Sequence, residues 1–88
     1  MGMPLEVNTM LKLSPTQGYP NKIRVGEIYI ANKQDYRIYP LHIPIPLVDK
    51  DWNAYADAIV FKLIWEDNNT QLLYEIVNAY EEPKSYKH

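Results

Sequence analysis

The sequence predicts an all-β domain, or a β-rich one with one short helix: a small antiparallel β-barrel or bent sheet of five to six strands. Three observations predict it. Apolar residues recur mostly at period two, the spacing of a half-buried strand. Pro and Asn punctuate the chain between those runs. Two apolar runs, Ile59 to Trp65 and Leu72 to Tyr80, flank a short polar segment as the arms of a hairpin do.

Glu6 to Leu13 alternates, with Val7, Thr9, Leu11 and Leu13 on one face, and reads as a strand. Ser14 to Asn21 holds two prolines and one glycine and reads as a loop. Lys22 to Lys33 reads as a strand with a fault. Ile23 and Val25 share one parity, Ile28 and Ile30 the other, and Gly26 lies at the switch. A bulge or tight turn there returns both pairs to the core. Asn32 to Asp35 is a turn candidate.

From Tyr36 to Val48 the apolar residues Tyr39, Leu41, Ile43, Ile45 and Leu47 are odd-numbered, while Pro40, Pro44 and Pro46 are even-numbered. Same-parity N–H groups of a strand point to one side, so the three missing donors fall together. That side cannot carry a normal ladder, and the segment is expected to be an edge or a bent, partly unpaired strand.

Asp49 to Asp57 suits a loop or one helical turn. In the hairpin, an Asn68-Asn69 turn pairs Trp65 with Leu72, Leu63 with Tyr74 and Phe61 with Ile76 on one face. On the other face it pairs Ile64 with Leu73, Lys62 with Glu75 and Val60 with Val77. A rival helical spacing runs through Trp52, Tyr55, Ala56, Ile59, Val60 and Leu63, capped by Asp51. Strand propensity favours the hairpin for residues 58–66 and leaves residues 51–56 open to a helix. The expected core is Val7, Leu11, Ile28, Ile30, Ile38, Ile59, Phe61, Leu63, Leu72, Tyr74 and Ile76. One domain is expected over residues 1–82, followed by a polar, frayed C-terminal tail at 83–88.

The chain has 88 residues, enough for one domain, with 47% hydrophobic and 23% charged residues, an ordinary globular balance. It has no cysteine, which suits a reducing, cytoplasmic compartment. Met1 to Glu6 lacks the basic and apolar regions of a signal peptide, and no apolar run has the length of a membrane span. Formal charge is -2, unevenly placed: residues 1–44 carry five basic and three acidic side chains, residues 45–88 four and eight.

Chemistry-bearing motifs are absent. Asp49-Lys50-Asp51-Trp52-Asn53 begins like a calcium loop, but Ala54 and Val60 replace the turn glycine and the bidentate glutamate. His42 and His88 without cysteine make no zinc set. No hydroxyl lies in a nucleophile motif, and Gly2, Gly18 and Gly26 are too scattered for a phosphate loop. No catalytic residue, metal site or cofactor is therefore expected, and enzyme activity is not. A binding or interaction module engaging a protein partner is the leading expectation, with Arg37, Tyr39, His42, Trp52 and Tyr55 as its surface. RNA binding through Lys22, Arg24, Lys33 and Arg37, interleaved with tyrosines, is the alternative. A small-molecule site inside the barrel is a third. Nothing in the sequence sets the oligomeric state.

The segments Met1 to Met10, Tyr36-Arg37-Ile38-Tyr39-Pro40-Leu41 and Ile43-Pro44-Ile45-Pro46-Leu47 resemble an uncharacterised family of Bacillus-type bacteria, the domain of unknown function 2584. That resemblance implies a stand-alone bacterial cytoplasmic protein and no mechanism. Lys22-Ile23-Arg24-Val25-Gly26-Glu27-Ile28-Tyr29 is similar to a strand lead-in of PUA-like RNA-binding barrels, which adds to the RNA alternative.

Overall fold

The computed structural model describes residues 7–87. Met1–Glu6 and His88 lie outside them, and with them the start of the strand expected from Glu6. The described chain forms one mixed sheet: β1 (Leu11–Lys12), β2 (Ile28–Gln34), β3 (Pro44–Val48), β4 (Asn53–Glu66) and β5 (Asn69–Ser85), with a 3-10 turn at Pro15–Gln17. The spatial order is β1-β3-β4-β5-β2. β1 runs parallel to β3, and the other pairings are antiparallel.

The β4–β5 hairpin is the spine. Glu66 pairs with Asn69, so Asp67 and Asn68 occupy the turn, with φ of 52° and 62°. Two positive φ values in a two-residue loop match the strand twist, and Asp and Asn tolerate them. The turn thus starts one residue before the expected Asn68-Asn69, and the partners change. Trp65 faces Thr70, Leu63 faces Leu72 and Lys62 faces Leu73, so Lys62 and Glu75 are not opposite each other. Thr70 gives the reason. It is fully buried, accepting from the Arg37 amide and donating to the Asp35 carbonyl, both at 2.8 Å. Trp65, opposite it on β4, donates from Nε1 to the Arg37 carbonyl at 2.8 Å, so both members of the pair hold Arg37 and a slip of β4 along β5 would pull one of them away.

Phe61 is an extra residue between Val60 and Lys62 on β4. A bulge reverses the side-chain parity beyond it. Ala54, Ala56, Ala58 and Val60 therefore point inward and are fully buried. Ile59 and Phe61, expected in the core, are only half-buried. Strand pairing from Asn53 onward also removes the helical option for residues 51–56. At the far end, β5 continues through Pro83, pairing Lys84 with Ala54 and Ser85 with Asn53. Part of the expected free tail is therefore strand.

The Gly26 fault is a bulge at a turn. The Gly26 amide donates to the Ile76 carbonyl at 2.7 Å, and the Ile76 amide donates to the Glu27 carbonyl at 3.1 Å. Gly26 supplies the required φ of 92°. The bulge does not bury both pairs: Val25, Ile28 and Ile30 stay more than half exposed, and Ile23 packs at the core margin. The Asn32 to Asp35 turn is confined to Asp35, because β2 runs to Gln34.

Pro44 and Pro46 pair with Ile59 and Asp57 on β4, while β1 covers only Leu47 and Val48. The missing donors fall on an uncovered flank, as their shared parity required. The core gathers Leu11, Leu13, Tyr39, Leu47, Leu72, Tyr74 and Ile76 over the β4 alanines. Val7 is exposed and Ile38 half-buried, contrary to expectation.

The sheet bends strongly but does not close. β5 runs 17 residues, and its register against β4 shifts at Val77 and again between Ala79 and Lys84, the irregularities that bend a strand. Lys12 is level with Val48 and Ala54 near one end of β4; Lys33 is level with Thr70 and Trp65 near the other. Even so, the Lys33 ammonium donates to the Lys12 carbonyl at 2.5 Å. Bend and stagger together bring the two sheet margins into contact, as barrel closure needs. Here a side chain spans the seam where a barrel would have a ladder, so the barrel is a bent sheet.

Candidate binding surface at the sheet seam

The open seam between β1 and β2 carries the most concentrated chemistry. Lys33 is half-buried, and its ammonium is fixed on the Lys12 carbonyl. Burial first, then the Arg37 and Lys12 charges, lower its pKa from 10.5 to about 8. Arg37 is tied on three sides. Its amide donates to Thr70 Oγ1, its Nε donates to the Gln34 carbonyl at 3.0 Å, and its carbonyl accepts from Trp65 Nε1 at 2.8 Å. The Lys12 ammonium lies 4.4 Å from the centre of the Trp52 ring, a cation–π contact. Trp52, Lys12, Lys33 and Arg37 thus form a row across the seam, with each of the three cations held by a carbonyl or a ring.

The corner that presents Trp52 is built by Asp49. Its Oδ1 accepts from the Asp51 and Asn53 amides, both at 2.9 Å, and Trp52 takes φ 67°. The Tyr86 amide donates to the Trp52 carbonyl at 2.8 Å. The calcium-like start of this loop is therefore spent on turn hydrogen bonds. Trp52 and Tyr55 are each 39% exposed, whereas Tyr39 is 3% exposed. Tyr39 was expected on the interaction surface and is instead core, where burial raises its pKa to about 12. His42 is exposed, at φ 64°, with its amide on the Val60 carbonyl. Tyr55 lies near Tyr19, whose pKa rises to about 12 through burial, then Asp49 and Tyr55.

The four residues expected to contact RNA split into two groups. Lys33 and Arg37 belong to the seam. Lys22 and Arg24 line an open concavity of about 430 Å³ with Asn21, Glu27 and Tyr29, before the start of β2. The strand between them separates the groups by about 15 Å. Sequence reasoning missed Lys12, which alternation leaves on the face opposite Val7, Thr9, Leu11 and Leu13. No local signal could reveal its role, because Lys12 meets Lys33 only through the stagger of the whole sheet.

Tyr39, Tyr74 and the leucines pack inside the curl. A second open concavity, about 210 Å³, lies at the hairpin tip among Asn32, Ile64, Glu66, Asp67, Asn69 and Gln71. Among the described residues there is no group of three or more His, Cys, Asp or Glu placed to hold a metal, and no helix is long and apolar enough to cross a membrane.

The model of the domain of unknown function DUF2584 matches residues 1–81. The chain belongs to the DUF2584 family. It is also similar to a solved structure, the crystal structure of protein ytmB from Bacillus subtilis. The two share 32% sequence identity at a TM-score of 0.69, covering 91% of this chain and 95% of that one. No curated protein matches the chain. The DUF2584 match includes the segments that carried the family resemblance, and neither comparison names an activity.

Proposed function

We propose that this DUF2584 protein is a non-enzymatic binding module that engages a protein partner through the β1–β2 seam, and that it works in the cytoplasm. The observation that carries the reading is the row of Trp52, Lys12, Lys33 and Arg37. An exposed tryptophan beside fixed cations has the composition of an interface anchor. Tyr55 extends the aromatic part of that surface. Lack of cysteine supports the reducing compartment.

RNA binding is the second reading, favoured by the concavity that gathers Lys22, Arg24 and Tyr29. Stacking on Tyr29 and phosphate contacts to the two cations would suit a single strand. The acidic balance of the chain, pI about 5.6, places protein first.

The test is an affinity pull-down of the tagged protein from its own cell lysate, with and without RNase, beside Trp52→Ala. The expected result is a protein partner that survives RNase and is lost with Trp52→Ala. Recovery that vanishes with RNase would move RNA binding to the front, and a partner indifferent to Trp52→Ala would remove the seam as its docking surface.

A further inference from the structure

We infer that Lys33, Arg37 and Lys12 form a subsite for an oxyanion, the carboxylate or phosphate group of whatever occupies the seam. The inference rests on the proposed binding role of that seam and names the chemistry it recognises.

Lys33 sits among like charges, Arg37 and Lys12, and no carboxylate among the described residues is paired with it. Bringing ammonium and guanidinium groups together in a half-buried place is unfavourable unless an opposite charge joins them. The chain has 11 acidic residues against nine Lys and Arg, so carboxylates were available. The seam nevertheless holds its cations with neutral groups: the Lys12 carbonyl, the Gln34 carbonyl and the Trp52 ring. Among the described residues, the charged groups acting on Lys33 are Arg37 from the segment after β2 and Lys12 from β1, while β5 places the neutral Thr70 opposite it.

Donor geometry points the same way. An ammonium has three N–H bonds, and Lys33 spends one on Lys12. Arg37 spends its Nε on Gln34, which fixes the guanidinium plane and leaves the terminal N–H groups for a ligand. One side-chain tie on each, Arg37 Nε to the Gln34 carbonyl and the Lys33 ammonium to the Lys12 carbonyl, holds these donors in place before anything binds, and Thr70 and Trp65 pin the Arg37 backbone beneath them. Pre-organised donors lose little freedom on binding. An oxyanion between them would supply the missing charge.

The experiment is an NMR titration of the whole chain at low salt, following the amides of Lys12, Lys33 and Arg37. One arm uses inorganic phosphate and the other acetate, so the preferred anion identifies the source. Lys33→Met and Arg37→Gln are titrated beside the natural sequence, with the remaining amides reporting that each variant is folded. The expected result is saturable shifts confined to the seam in at least one arm. Affinity should fall about tenfold in each variant, the loss of one charge-assisted bond. Binding should also weaken as pH rises past about 8, where Lys33 loses its proton. Linear shifts spread over every Lys and Arg, or equal affinity in Lys33→Met, would overturn the subsite. A partner retained through Trp52 while neither anion saturates the seam would overturn this inference alone and leave the module standing.

Discussion

Two glycines show how a single residue is fixed by different physics. Gly18 has φ 112°, and a Cβ there would meet the Ile30 carbonyl oxygen at 2.5 Å and Ala31 Cα at 2.9 Å. Its own carbonyl accepts from the buried Tyr74 hydroxyl at 2.7 Å. Gly26 has φ 92° and open space around it. Gly18→Ala should therefore cost about 3 kcal/mol, from backbone strain plus collision. Gly26→Ala should cost about 1 kcal/mol, from strain alone. Urea denaturation checks the difference, and equal losses would contradict the close approach at Gly18. The Gly26 bulge could be read from a parity switch in its flanking residues. The Gly18 contact could not, because it depends on which strand the loop meets. Lys33 makes a second prediction at this scale. Its folded pKa is lowered, so between about 8 and 10.5 the unfolded chain holds a proton that the folded chain has lost. Stability therefore rises with pH across that window. Tyr19 and Tyr39 act the other way above 10, because their folded pKa values are raised to about 12. The net expectation is a rise from pH 8 to 10 that disappears in Lys33→Met, measured by thermal unfolding.

The hairpin shows what an element can disclose. Its existence, its two arms and its tight turn were legible, because period two and an Asn-rich link are local signals. Its register was not. The choice between Asp67-Asn68 and Asn68-Asn69 is made by Thr70 and Trp65, which face each other and both bond Arg37 in a remote segment. Thr70→Val should cost about 2 kcal/mol, since the Arg37 amide loses its acceptor in a half-buried place. Serine at this position should recover most of that. Denaturation midpoints for the two variants decide it, and a neutral Thr70→Val would undo the explanation of the register. The inward face of β4 was misread for a similar reason. Three of its four buried residues here are alanines, which carry a weak strand signal, and the Phe61 bulge turned the larger Ile59 and Phe61 away. The proline parity of β3 was legible because a missing N–H is a property of the residue itself.

At the scale of the molecule, the sequence indicated a small β-rich sheet, and the structure is one: five strands, bent and not closed. Whether a barrel closes depends on the sum of twist, bulges and stagger, and no short segment contains that sum. The seam follows from the failure to close. It sets Lys12 of β1 against Lys33 of β2 and places Trp52 and Arg37 at its two ends. Three of its four residues were anticipated, but in two separate lists: Trp52 and Arg37 as an interaction surface, Lys33 and Arg37 as RNA contacts. The seam is proposed as the recognition surface. Two double variants that each remove two positive charges test it most directly. Lys12→Ser with Arg37→Ser disarms the seam; Lys62→Ser with Lys87→Ser removes charge from exposed positions elsewhere. Partner recovery from lysate is measured for both after RNase treatment. Recovery is expected to be lost for the seam pair and kept for the distant pair, whereas equal recovery, or equal loss, would rule the seam out.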